Sequence, residues 1–476
     1  MPPLPSTSAP RRALFTGALL PFLLPAYVAA ADSSMNQLTT YAAPAGIPAN
    51  TNFTVKVRSP GGEWLELFCY AVEVDMHQPR TAALAIFDFS GEVEVAVTNR
   101  RGPVASARIR PLSYALTPGI AGDTLHFKLT QPRNLSIEVN GDIFENLHLF
   151  AGPIDTERPD PQSPDVLYFG PGVHSPGPSL AIPSGKTVYL AGGAVLKTKL
   201  VCDRVENVRI LGRGILYHPE RGIEVTRSRN VSIDGITIVN PRHYTVHGGQ
   251  SQALTITNLK SFSSHGWSDG IDLMSCSGVL VDGVFLRNSD DCIAIYGHRW
   301  TYFGDARDIT VRNSTLWADV AHPVNIGTHG NPARPEVIEN LHFSNLDILN
   351  HDEPQIGYQG CFAINASDAN LVRNVRVENV RIEDFEQGQL VSLRVAFNRS
   401  YATAPGRGIE KVHFKNITYN GARAGISILA GYDETRPIDG VTFENLRING
   451  RLIRTADEAR FFVGEHVRNL EFSVTQ

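Results

Sequence analysis

The ten residues NSDDCIAIYG, Asn288 to Gly297, set two adjacent acids, Asp290 and Asp291, against a short apolar run. Adjacent carboxylates repel, and burying them costs more unless something compensates. A second acidic stretch, HGWSDGIDLMSC from His265 to Cys276, lies upstream. Its Asp269 is 21 residues before Asp290, and Asp272 lies three residues beyond Asp269. Carboxylates gathered in one cleft can do acid–base chemistry. Crowding raises at least one pKa, so one member keeps a proton near neutral pH and can donate it to a leaving oxygen. The ionised members can hold and deprotonate a water. Inverting glycoside hydrolysis needs this set, with room for the water between acid and base. Two other readings stay open on chemistry alone. Clustered carboxylates suit Ca²⁺, and calcium would fit elimination of an acidic sugar by a lyase. An Asp pair at a turn can also simply cap backbone amides, as expected of Asp234 in NVSIDG and Asp282 in GVLVDG.

The elements that must position these acids are short and repetitive. NVRILG at Asn207, NVSIDG at Asn230, ALTITN at Ala253, GVLVDG at Gly278 and DITVRN at Asp308 follow at intervals of 23, 23, 25 and 30 residues. Similar strands recur at Asn340, Asn374, Val412 and Val441. That period is too short for a βα unit and suits one coil of a parallel β-helix. Inward Val, Ile and Leu would stack on their counterparts one coil away, and Asn would occupy turns, where it tolerates left-handed geometry. A 21-residue separation is close to one coil, so Asp269 and Asp290 would lie one above the other on the same face.

Upstream, FTVKV, ALAIFDF, EVEVAVTN, TLHFKL and NLSIEV alternate apolar and polar residues with no helical pattern between them, as antiparallel sheet does. The expected organisation is all-β: a small β-sandwich over 32–150, a Pro- and Gly-rich connector over 151–184, and a parallel β-helix catalytic domain over 185–476. The sandwich or the connector could cover the open edge of the first coil.

Residues 1–31 read as an export signal. Arg11 and Arg12 precede an apolar run from Ala13 to Ala31, and Ala29-Ala30-Ala31 forms a small-residue cleavage site before Asp32. The paired arginines hint at a twin-arginine signal. A secreted or periplasmic location follows, with no membrane association after cleavage. The formal net charge of −5 and the lack of a basic stretch make nucleic acid a poor ligand. The five cysteines are scattered without a CxxC pair, which disfavours structural zinc or a disulfide scaffold and leaves room for one disulfide. Oligomeric state is not legible.

At these residues the chain resembles a known family. NSDDCIAI resembles the NxDD motif of glycoside hydrolase family 28, the polygalacturonase family. WSDGIDL resembles its NTDGxD motif, and the spacing matches. AHPVNIGTHG stands where that family has Gly-His-Gly, with His322 in the histidine position and Ala321 and Pro323 replacing the glycines. The resemblance covers about Gly185 to the C-terminus. It implies a right-handed parallel β-helix without metal or other cofactor, acting on a polysaccharide or oligosaccharide. Asp290 would be the general acid, and Asp269 and Asp291 would activate water. His322 would bond near the acid and tune its protonation. The chain also resembles glycoside hydrolase family 49, the dextranases and isopullulanase, which joins an N-terminal β-sandwich to a β-helix; DDCIAIYGHRW and NSTLWADVAHPVNIG carry that likeness.

Departures from the family pattern bear on substrate. Polygalacturonases use an Arg-x-Lys motif to grip the sugar carboxylate, but here EPQIGYQGCFAIN, from Glu353 to Asn365, has no cation. Losing those charge-assisted contacts favours a neutral glycan, although Arg394 could supply a cation from another coil. Cys292 matches a family cysteine whose nearby partner is absent. Aromatic faces stack on pyranose rings, so Trp267, Tyr296, Trp300 and Tyr358, with Asp272 and His265, are the expected substrate-binding residues. Tyr302 flanks the same motifs, and aromatics equally fill solenoid cores. YGHRWTYFGDARD lengthens one interval and should loop beside the cleft. A non-catalytic glycan-binding protein remains the other rival to hydrolysis.

Overall fold

The computed structural model describes residues 36–475; the stretch read as an export signal, residues 1–31, lies outside the described residues. Strands from Gln37 to Pro153 form a six-stranded and a five-stranded sheet packed face to face. Val93–Asn99 shows the expected alternation, with Val93, Val95 and Val97 buried and the residues between them half-buried. Arg80–Ser90 departs from it, because this strand is covered on both faces. Ala83, Ala85 and Phe87 enter the sandwich core, while Ala82 and Leu84 join Tyr70, Val72 and Phe150 against the second domain. A doubly covered strand must read as a continuous apolar run, as ALAIF does.

The second domain is a right-handed parallel β-helix. Val208, Val231, Leu254, Val279, Ile309, Leu341, Val375, Val412, Val441 and Leu470 stand in register, one per coil, and all but the last are buried. The residue before each has positive φ, from Asn207 at 58° to Asn469 at 51°. A column of left-handed positions explains the recurrent Asn and Gly, which adopt that geometry at least cost. The asparagines also bond to each other along the column. Asn230 Nδ2 donates to Asn207 Oδ1 at 2.6 Å, and a second ladder links Asn345 to Asn313 and Asn416 to Asn379, both at 2.8 Å.

Two expectations change. The segment read as a connector contains Val166–Phe169, Gly172–His174 and Ser179–Ala181, which pair in parallel with the next coil. It therefore includes a solenoid coil whose strands are too short, between Pro- and Gly-rich turns, to show periodicity. The sandwich lies along the flank of the β-helix, not over its first coil. Its outer sheet packs on Val195, Ile215, Val239, Phe262, Phe285, Trp317 and Leu349, contributed by successive coils.

A buried polar network pins this flank. Arg287 donates to both Asp319 oxygens, from Nε at 2.9 and 3.2 Å and from Nη2 at 3.0 Å, and its Nη1 reaches Asn146 Oδ1 of the sandwich at 2.9 Å. Arg110 joins Glu138 of the sandwich to Glu383 of the β-helix. Among the described residues no helix is long and apolar enough to cross a membrane, and all five cysteines, Cys292 included, are free and buried.

Candidate active site

The register of the solenoid assembles the acids. Ile271, Ile293 and Val324 are paired from coil to coil. Asp269, Asp291 and His322 each stand two residues ahead of one of them, so they form one column. Backbone bonds tie that column together: Gly270 N–H donates to Asp291 O and Cys292 N–H to His322 O, both at 2.8 Å. The motif's Asn288 is fully buried and serves as scaffold. Its Nδ2 donates to Ser263 Oγ at 3.0 Å and to Ser268 O at 3.2 Å, while its Oδ1 accepts from Ser261 Oγ at 2.8 Å. This bonding locks the two acidic turns together.

Each acid sits in a different environment. Asp290 Oδ2 accepts from the Trp267 N–H at 3.0 Å, and Oδ1 from the Asp291 N–H at 3.1 Å. Burial and the neighbouring Asp291 charge outweigh those bonds and push Asp290 up to about 7. Asp291 goes the other way. Burial would raise it, but the His322 charge, the His322 hydrogen bonds and Asn325 hold it below the usual carboxylate range. Its Oδ1 meets His322 Nδ1 at 2.6 Å and its Oδ2 accepts from Asn325 Nδ2 at 2.7 Å. His322 also bonds the Tyr358 carbonyl through Nε2. Both ring nitrogens thus face acceptors, which defines an imidazolium. Burial opposes that charge, yet Asp291 lifts His322 to about 9. Asp269 is pushed well up by burial and then by Asp272, Asp290 and Asp291.

The oxygens of Asp269, Asp290 and Asp291 come within 4.8 Å of one another. That spacing would admit a small hard cation. His322 already offsets Asp291 from the side, however, and the remaining repulsion is relieved by protonation. The arrangement holds one carboxyl that keeps its proton to near neutral pH beside one held ionised. That is the pairing acid–base catalysis requires.

A cavity of about 570 Å³ opens over the carboxylates. Trp267, Tyr296 and Tyr358 line it. Trp267 is two-thirds exposed and left-handed at φ 58°. The Trp267→Ala variant should retain the backbone bond to Asp290 while KM rises about three- to tenfold with kcat little changed, as steady-state kinetics would show.

Three expectations are corrected. Asp272, on the strand Ile271–Met274, is fully buried and not part of the cavity wall. The His265 side chain also lies outside the wall; its backbone instead closes a turn with Ser268 Oγ. Trp300 stacks on Tyr244 at 5.7 Å, with the Arg221 and Arg299 guanidinium groups within 5.4 Å of its ring, so it braces the loop. His322 bonds Asp291, the residue beside the acid, and its charge acts on Asp290 through space.

Other wall residues escaped sequence reasoning. Arg299 supplies a cation from the lengthened loop, Tyr401 stacks on Tyr358 at 4.9 Å, and Met76 reaches in from the sandwich. Asn325 lay within AHPVNIG, but only the register shows that it faces Asp291. Arg394 bonds the Gly357 carbonyl and lines an adjoining cavity that shares Tyr358.

The known proteins most informative here fall into two groups. A dextranase of Arthrobacter sp. (strain CB-8) is 23% identical over 359 residues, covering 61% of this chain and 52% of that protein. An endo-polygalacturonase of Pectobacterium carotovorum subsp. carotovorum is 22% identical over 320 residues, covering 65% and 71%. The chain thus spans about half the length of the dextranase, and 40% of a probable endopolygalacturonase D of Neosartorya fischeri that it also matches. Among solved structures, Dex49A from Penicillium minioluteum superposes with a TM-score of 0.64 at 15% identity, covering 91% of this chain and 96% of that one. This likeness extends the shared fold across the sandwich as well as the β-helix. The model of glycosyl hydrolases family 28 matches residues 196–450, more than half of the 476 and the whole of the acid-bearing column. This chain belongs to glycosyl hydrolases family 28.

Proposed function

We propose that the protein is an exported glycoside hydrolase that cleaves a polysaccharide or oligosaccharide by acid–base catalysis with inversion. The observation that carries this reading is the split between adjacent carboxyls. Asp290 keeps its proton up to about pH 7 while Asp291, bonded to His322, stays ionised. Asp290 protonates the glycosidic oxygen, and Asp269 with Asp291 orients and deprotonates the water. Trp267, Tyr296 and Tyr358 offer aromatic surface to the sugar rings. A neutral glycan fits best. The Arg-x-Lys cations are absent, and Arg299, the cation in the wall, bonds His329 and offsets the acid cluster. The dextranase relative makes α-glucans the first substrates to try.

A retaining course is the second reading, favoured by the close approach of the acids. Oxygens within 4.8 Å leave less room than the roughly 6.5–9.5 Å separation of carboxyls usual for inversion. One experiment separates these outcomes. Dextran, pullulan and polygalacturonate are digested with chelator present and followed by NMR from the first turnovers. Saturated product released with inverted anomeric configuration supports the proposal and names the sugar. Retained configuration moves Asp269 or Asp291 to the nucleophile role. Unsaturated product formed only without chelator means a calcium lyase, and binding of these glycans without product means a binding protein.

The pH–rate profile has a defined sign. The acid must be protonated, so kcat/KM should fall as pH rises through about 7. It should fall again on the acidic side once the water-activating carboxylates take up protons, giving a bell.

A further inference from the structure

The column of acids continues toward the N-terminus. Arg221 and Tyr244 stand two residues ahead of Ile223 and Val246, which pair in register with each other and then with Ile271 and Ile293. The column therefore runs Arg221, Tyr244, Asp269, Asp291, His322, and the Thr245 N–H ties it by donating to Asp269 O at 2.8 Å. Its N-terminal end is covered. The loop between the strands Ile293–Tyr296 and Ala306–Arg312 folds back over the coils that precede Asp269. Trp300 stacks on Tyr244, with ring centroids 5.7 Å apart and planes at 24°, and also meets the His247 ring at 5.5 Å and the Arg221 guanidinium at 5.4 Å. The rest of the loop is fastened to the same coils. Tyr302 meets His247 at 5.2 Å and lies so close over Gly249 that no side chain would fit there. Gln250 Nε2 donates to Phe303 O at 2.9 Å, and Arg227 Nη2 to Thr301 Oγ1 at 3.3 Å. Beneath these contacts His247 stands in register between Glu224 and Asp272, with no hydrogen-bond partner on either ring nitrogen among the described residues. Polar side chains in line suit a wetted groove wall, and here the loop covers His247 within it.

The other end of the column is open. Gln355 and Tyr358 line the cavity over the acids and also a second cavity of about 630 Å³. That second cavity follows the later coils, where Val324 pairs with Phe362, Phe362 with Val391, and Arg394 with Ala430. Arg394 and Tyr432 line it, and Phe397 and Tyr432 present exposed aromatic surface there. Strand spacing measures the asymmetry. At about 4.8 Å per coil, the closed side leaves about 10 Å from Asp291 to Tyr244, whereas the open side runs about 14 Å to the Arg394 strand and about 19 Å to the Ala430 strand. The short side has the span of a mono- or disaccharide, and the long side takes a continuing chain.

We propose that this protein acts from chain ends: the loop closes the groove at Tyr244, one coil before Asp269, so the acids cut a mono- or disaccharide from the terminus of the glycan, and Trp300 sets that limit. A chain running through in both directions would have to pass between Trp300 and Tyr244, whose rings are already in contact. The loop thus excludes internal linkages by a steric block, without touching the bond that is cut. The proton and water are those assigned above; the loop decides only which linkage reaches them.

The inference rests on glycan cleavage at these acids, so product length and product chemistry are read separately from one digest. Dextran, pullulan and polygalacturonate are each incubated with the enzyme, and viscosity, reducing ends and product masses are followed from the first turnovers. The wild type should release mono- or disaccharide alone, with reducing ends accumulating while viscosity scarcely falls. Trp300→Gly removes the ring, and glycine suits the left-handed backbone at this position, φ 53°. This variant should release longer oligosaccharides at the first time points and lose viscosity early. Trp300→Phe, which keeps an aromatic ring over Tyr244, should retain the short products. A second variant replaces 299–302 with Gly-Gly and removes the hairpin tip outright. Product length is read there and not rate, so the loss of Arg299 does not disturb the result. Long products from the wild type at the outset would overturn the proposal, as would short products from both loop variants. Short but unsaturated products would replace hydrolysis by elimination and leave chain-end action standing. Binding of these glycans without product would overturn both readings.

Discussion

Asp290→Asn is expected to lower kcat on a natural glycan by about three orders of magnitude while leaving KM within a few-fold. The amide is isosteric, and its oxygen can still accept the Trp267 N–H that now reaches Asp290 Oδ2 at 3.0 Å. What disappears is the proton that burial and Asp291 hold on this carboxyl up to about pH 7. An alkoxide leaving group must then depart unprotonated, and that step carries the loss. The acid role has a signature that a general structural defect lacks. On an aryl glycoside with a good leaving group, which needs little protonation, Asp290→Asn should recover most of its rate. Asp269→Asn should not, because activation of the water is still missing. The alkaline fall near pH 7 should also vanish from the residual Asp290→Asn activity. Steady-state kinetics on the two substrate types checks all three statements. Equal losses on both substrates would remove Asp290 from the acid role.

The largest stability effect is expected at the flank, away from the cavity. Arg287 and Asp319 have no exposed surface, and the guanidinium lies 4.0 Å from the Trp317 ring centroid. Asn146 and His148 of the sandwich complete its bonding at 2.9 and 3.1 Å. Burial pushes Asp319 up, and Arg287 is what opposes that push. Arg287→Met should therefore cost about 3–5 kcal/mol, because the remaining carboxylate is left buried and unpaired. Adding Asp319→Leu should recover much of the loss, since the penalty lies in the unpaired charge and not in the absence of the pair. Urea denaturation of the single and double variants measures this directly. A double variant less stable than Arg287→Met would show that the ion pair itself contributes net stability. Because Arg287 leads into Asn288 and the acidic pair, Arg287→Met should also lower activity before global unfolding. The intermediate loss is read by assaying turnover across the same urea series.

Much of this organisation could be read from local pattern. A coil of the β-helix repeats within the span of a short sequence window, so intervals of 23 to 30 residues and recurrent Asn and Gly reveal it directly. The same periodicity put Asp269 over Asp290; the register instead stacks Asp269 on Asp291, one residue on, and leaves Asp290 beside that column within the same cluster. Departures arise where two distant surfaces touch. The first coil hid among prolines because its strands have only three or four residues. Trp300 has the residue type of a sugar platform, but the loop folds it onto Tyr244 and the arginines. Asp272 is buried away from the cavity, and nothing in DGIDL distinguishes a carboxyl in the wall from one behind it.

The all-β class, the coil period, the clustering of the acids on one face and the family were legible in local pattern. Each follows from residues one coil apart or closer, where backbone register leaves little freedom. The protonation pattern and the cavity wall come from neighbours brought together through space. Asp290 and Asp291 are chemically identical neighbours in the chain. They part company because His322, from the next coil, faces one of them and not the other. Met76 comes from the sandwich and Arg299 from a loop, and both reach the cavity only because the sandwich lies along the flank of the helix and the loop folds over its face. Charge and hydration depend on such through-space neighbours, which is why the chemistry of these carboxyls emerged only once the coils were stacked.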